Sequence, residues 1–145
     1  MRFDLLLNLH LFAVAFWLGV VAVEYLLERG RAQSRGQGFT VARLHRRIDL
    51  LFETPAFAVV LVTGLLLVEP AHFGGLYALK VVAGALAVAG NLLCLVPVLQ
   101  RRAAAERDDL ADVIRQSRRI DTISLVAIPA GLLALACGVY LMLLR

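Results

Sequence analysis

The chain has 145 residues, of which 61% are hydrophobic and 18% charged, with a mean hydropathy of +0.81. That apolar share is well above the usual share of a soluble domain and excludes a water-soluble enzyme. The net charge of +4 does not point to nucleic acid, because 12 of the 15 Lys and Arg residues lie in two short stretches, 28–47 and 100–119, between apolar segments. This is the pattern of membrane topology.

Four apolar segments follow in chain order: Leu5 to Leu27, Ile48 to Val68, Leu76 to Leu99 and Ile120 to Leu144. Each has about 20 residues or more, enough to cross roughly 30 Å of hydrocarbon as helix. The expected fold is therefore all-α, one domain over 1–145: an integral-membrane four-helix bundle in the lipid bilayer. Asp4, His10 and Glu24 in the first segment, with no clear small-residue cleavage site, argue that it is a helix of the mature protein and not a signal peptide. The first connector holds Arg29, Arg31, Arg35, Arg43, Arg46 and Arg47, and the third Arg101, Arg102, Arg107, Arg115, Arg118 and Arg119. The middle connector, EPAHFGG, holds no Lys or Arg, so the positive-inside rule puts both termini outside a bacterial-type inner membrane. The stretch RAQSRGQG reads as a flexible loop, and RRAAAERDDLADVIRQSRR as a helical extension of the third or fourth segment. Ala and Gly at four-residue spacing, such as Ala83 and Ala87 or Ala134 and Gly138, permit close approach of the last two helices.

Ionisable residues inside hydrocarbon are costly and face the bundle interior. Here they form two groups. The outer group is His10, Glu69, His72 and Lys80. The inner group is Glu24, Asp49, Glu53 and Asp121, with His45, Arg46, Arg47, Arg118 and Arg119 nearby. His10, Trp17 and Glu24 are seven apart and share a stripe, Lys80 and Asn91 are eleven apart on one face, and Asp49 and Glu53 form an i, i+4 pair. A neutral imidazole at His10 can ligate haem iron or another metal, or carry protons, whereas the plainer reading is a cross-helix hydrogen bond. His45 and His72 read as interfacial residues, and the arginines as topology signals. Glu24, Asp49 and Glu53 read as a proton-sharing network or as partners of Arg47 and Arg118. Cys94 and Cys137 lie more than about 10 Å apart along the membrane normal and are expected as free thiols.

HLFAVAFW with His10 and Trp17, RRIDLLFETPAF with Thr54-Pro55-Ala56, Gly64, and Leu79-Lys80 occur in an order and spacing that resemble the HemJ-type membrane protoporphyrinogen oxidases, four-helix proteins that bind haem b. The resemblance extends over most of the chain. It departs where that family carries a histidine eleven residues after the lysine, here Asn91, and a methionine before Thr-Pro-Ala, here Glu53. The spacing of His10 and Glu24 with Asp49-Leu50-Leu51-Phe52 also resembles an uncharacterised family of four-helix bacterial membrane proteins. The first resemblance implies haem b as cofactor, His10 as axial metal ligand, Trp17 against the macrocycle, Lys80 on a propionate or substrate carboxylate, and Asn91 facing the same slot. It implies an electron-transfer or porphyrin-oxidising role, with a porphyrin or redox partner. With Asn91 in place of the histidine, little or no protoporphyrinogen oxidase activity is expected. A second axial ligand is not evident in the sequence, which leaves five-coordinate iron, His72 or another subunit. The rival readings are a non-catalytic subunit or assembly partner of a larger membrane complex, including a homo-oligomer, and a proton or ion path through the inner acids.

Overall fold

The computed structural model describes residues 2–144, and all of their side chains but those of Arg2, Phe3 and His72. These residues are almost entirely helical. Helix α1 spans Arg2–Gly30 and α2 spans Arg35–Ile48, which runs through a π-helical turn at Asp49–Glu53 into α3, Thr54–Leu66. A short 3-10 turn at Pro70–His72 leads to α4, Gly75–Glu106, and α5 covers Leu110–Leu143. The result is four long helices, each long and apolar enough to cross a membrane, with α2, the π turn and α3 acting as one continuous span from Arg35 to Leu66. At 1.5 Å per residue α5 is about 50 Å long, so its ends reach beyond a hydrocarbon core of about 30 Å.

Both connectors expected at the basic end are shorter than the composition suggests. The stretch RAQSRGQG is half helix: residues 31–34 turn, the rest opens α2, and Ser34 caps α2 by accepting a hydrogen bond from Gln37 N–H. The 100–119 stretch extends both neighbours, α4 to Glu106 and α5 from Leu110, with Asp109 capping α5 through Asp112 N–H. Between them Asp108 takes a φ of 59°, a left-handed conformation in which Asp is among the enriched residues. Arg35 fastens this turn, pairing with Asp108 Oδ2 at 2.6 Å and donating to its carbonyl at 3.0 Å.

The π turn has a local cause. Pro55 has no N–H to give the carbonyl four residues back, and its ring crowds that carbonyl, so the chain widens by one residue. Thr54 N–H accordingly donates to the Asp49 carbonyl, five residues earlier. Asp49 and Glu53, at the two ends of the turn, are both buried.

Burial is inverted relative to a soluble protein. Large apolar side chains such as Leu5, Phe12, Leu65, Leu125 and Leu143 are exposed on the outside of the bundle, while Glu24, His45, Asp49, Glu53 and Arg101 are buried within it. That is the arrangement a lipid solvent favours. Helices α4 and α5 pack along their length, and at Gly90 a Cβ would come within 2.6 Å of the Ala127 Cβ, so only glycine permits this approach. Helices α1 and α3 form a second pair. At the end carrying the connectors, α2 packs on α4 through Phe39, Ala42, Ala104 and Ala105, with Val113 of α5. Toward the end carrying the termini, α3 meets α4 at few places, and a cavity separates the two pairs. Ala13, Trp17, Ala56, Phe57, Val60, Ala87 and Val88 form the apolar core between the cavity and the connector end.

Candidate functional site

Trp17 divides the bundle interior in two. Its indole lines both the cavity at the termini end and a smaller one at the connector end, and its Nε1–H donates to Glu53 Oε1 at 3.1 Å.

The cavity at the termini end measures about 250 Å³ and is lined by His10, Trp17, Lys80, Gly64, Gly84, Gly131 and Gly138 among mainly apolar residues. His10 Nδ1 lies 2.8 Å from Thr63 Oγ1, and that hydroxyl donates to the Val59 carbonyl at 2.6 Å. Because the threonine proton is used on Val59, the hydroxyl oxygen accepts from His10 Nδ1–H. In the neutral imidazole this leaves Nε2 as the nitrogen with a lone pair. The ring lies against Gly64, where a Cβ would be 3.3 Å from His10 Cε1. Lys80 runs along Gly138, with its ammonium 5.9 Å from the centre of the Tyr77 ring. His10, Trp17 and Lys80 are thus brought together. Asn91 is not with them: it lines the cavity on the other side of Trp17, beside Cys94 and Glu24. Eleven residues span about 16 Å of helix, so a shared angular position does not place two side chains at one depth. The His72 side chain lies outside the described residues.

The site at the connector end is built from four helical segments. Glu24 and Glu28 come from α1, His45 from α2, Asp49 and Glu53 from the π turn, and Arg101 from α4. Arg101 is 1% exposed and grips the Glu28 carboxylate with both Nη atoms, at 2.9 and 2.7 Å, with Ser117 Oγ 3.3 Å from Nη1. Arg31 adds a further bond to Glu28 at 2.6 Å and pairs with Asp121 of α5. The hydrogen bonds to Asp121, and then those to Glu28, hold the Arg31 guanidinium above its ordinary value despite partial burial.

His45 Nδ1 is 2.5 Å from Glu28 Oε1 and 2.7 Å from Arg101 Nη2. A carboxylate oxygen can only accept, so the short contact requires the proton on Nδ1. Accepting from Arg101 instead would set two lone pairs against each other at 2.5 Å. The other ring nitrogen, Nε2, faces Asp49 Oδ2 at 3.7 Å and Glu24 Oε2 at 3.8 Å. Glu53 stands beside both of those carboxyl groups.

Three expectations change here. His45 is not an interfacial residue among arginines but a buried member of the inner group, 5% exposed. Arg47 and Arg118 are exposed, and the arginines that do enter the site, Arg101 and Arg31, pair with Glu28, and Arg31 also with Asp121, rather than with Glu24, Asp49 or Glu53. Arg101 is therefore a core residue as well as a member of a basic connector. Glu28, Arg101, Ser117 and Thr63 carry no signal in the sequence, because each acts through partners on other helices. Cys94 and Cys137 are free thiols, as their separation along the chain's helices implied. No family model, curated protein or solved structure matches the chain.

Proposed function

We propose that this is a multi-pass protein of a bacterial cytoplasmic membrane, with both termini outside, that binds haem b between its two helix pairs and serves electron transfer or porphyrin oxidation. The observation that carries the reading is the Val59–Thr63–His10 chain of hydrogen bonds. It presents an unprotonated imidazole nitrogen in a cavity that also holds a lysine.

The residues fit the group. His10 Nε2 would hold the iron, its tautomer set from behind by Thr63, the kind of support that raises ligand basicity in metal sites. Lys80 supplies a cation for a propionate, and Gly64, Gly84, Gly131 and Gly138 give walls without side chains for a flat ring. At about 250 Å³ the cavity is just below the usual range for small-molecule sites. Because α3 meets α4 so sparsely, a macrocycle would widen a seam without breaking a packed core. The one-electron chemistry would be the haem's own. The chain's part is to hold the iron ligand, orient a carboxylate and exclude water with the apolar lining of α1, α3 and α5.

The test is an absorption spectrum of protein purified from haem-replete cells, in wild type and in His10→Ala. A Soret band in wild type that is lost or strongly reduced in His10→Ala supports the reading. A haem-free wild type after reconstitution, or an unchanged spectrum in His10→Ala, overturns it.

A further inference from the structure

We infer that Glu24, His45 and Asp49 form a second site, separate from the His10 cavity, that takes a divalent first-row transition-metal ion of borderline hardness such as Zn2+. One ligand atom from each residue lies within 4.8 Å of the other two, and all three residues are buried. In a tetrahedral zinc site with bonds of about 2.0–2.2 Å, ligand atoms stand roughly 3.3–3.6 Å apart. The 3.7 and 3.8 Å separations from His45 Nε2 to the two carboxylates need only small contraction around an ion.

Two further observations point to a cation. Among the described residues, Asp49 Oδ2, the oxygen that faces His45 Nε2, and Glu24 Oε1, the second oxygen of the carboxyl whose Oε2 faces that nitrogen, have no hydrogen-bond partner, although the residues are only 3% and 6% exposed. Buried polar atoms left in this state are costly, and a cation between them removes the cost. His45 is also already set as a ligand. Its Nδ1–H is held by the Glu28 carboxylate, so its Nε2 lone pair turns toward Glu24 and Asp49, which is the carboxylate–histidine–metal arrangement of natural sites.

The charges agree with this assignment. Glu24, Glu28, Asp49 and Glu53 meet here, against Arg101 and an Arg31 shared with Asp121. Arg101 directs both Nη atoms to Glu28, so its hydrogen bonds are spent there and not on Glu24 or Asp49. Glu53, held at Oε1 by Trp17, stands beside Glu24 and Asp49 but outside the three ligand atoms, which leaves the fourth position to water. The adjacent cavity, about 110 Å³, gives an entry path and room for water. One imidazole with carboxylates suits Zn2+ or Mn2+ better than the all-oxygen shell of Ca2+ or Mg2+.

The experiment uses the tag-free full chain in detergent, stripped with chelator and reloaded with Zn2+, with metal content read by elemental analysis and haem read separately by absorbance. We expect one Zn2+ per chain to survive gel filtration, and at least tenfold weaker binding in Glu24→Gln and in Asp49→Asn. Glu28→Gln, which removes the charge behind His45 together with the ion pairs to Arg101 and Arg31, should weaken binding 10- to 100-fold. Co2+ loading of the wild type keeps the ligand set testable should a variant misfold. Nitrogen and oxygen donors give visible d–d bands without a thiolate charge-transfer band, whereas such a band would bring in Cys94 and overturn the assignment. A wild type that retains no stoichiometric Zn2+, or carboxamide variants that bind as wild type does, overturns the site outright.

Discussion

Removing Arg101 is the sharpest test of how the two halves of the bundle are joined. Its guanidinium, on α4, reaches Glu28 on α1 with bonds of 2.7 and 2.9 Å and is almost wholly out of contact with solvent. Truncating one partner of a buried ion pair costs about 3–5 kcal/mol, because the other charge is left behind. Here Glu28 keeps His45 Nδ1 at 2.5 Å and a partly exposed Arg31 at 2.6 Å, which places Arg101→Met near the lower end, about 3 kcal/mol. Glu28→Met should cost about as much, since it leaves Arg101 buried without its acceptor. If the loss in each case is mainly an uncompensated charge, the double variant should cost about 3–4 kcal/mol rather than the roughly 6 of simple addition, a coupling of at least about 2 kcal/mol. Reversible unfolding in mixed SDS micelles, followed through the fluorescence of the single, buried Trp17, measures all four corners of the cycle. Additivity within about 0.5 kcal/mol, or a cost below about 1 kcal/mol for Arg101→Met, would refute the idea that this pair links α1 to α4.

Thr63→Val keeps the shape but removes the acceptor for His10 Nδ1–H, so haem affinity should fall 10- to 100-fold, measured by titration of stripped protein. Equal affinity would show that the His10 tautomer does not depend on Thr63. Gly90→Ala forces a methyl to within 2.6 Å of the Ala127 Cβ and should destabilise the bundle by about 1–3 kcal/mol in the same SDS assay, while Gly19→Ala, with nothing within 4 Å, serves as its comparison. Membrane-impermeant thiol reagents added from outside should label a cysteine introduced beside His72 but not one beside Gly36, and the reverse pattern would invert the proposed orientation. In cells lacking other enzymes for the step, wild type should give little or no protoporphyrinogen oxidation; robust rescue would establish the oxidase activity.

The membrane architecture was legible in the sequence because the bilayer imposes constraints that are local. A span needs about 20 apolar residues, and charge confined to the connectors marks their ends, so four helices could be counted before any contact was known. The stripe of His10, Trp17 and Glu24 was likewise readable, since a spacing of seven keeps residues on one face of a single helix. Depth and partnership were not readable. Lys80 and Asn91 share a face yet line cavities on opposite sides of Trp17, a separation set by what the neighbouring helices place at each level. Arg101 looked like one more basic connector residue until α1 brought Glu28 against it, 73 residues away in the chain. His45 gained its proposed ligand role only when Glu28 accepted its Nδ1–H and the π turn after it carried Asp49 to its other side. Periodicity reports which side of a helix faces inward. Which charges meet there depends on the register between helices, and only tertiary packing sets that.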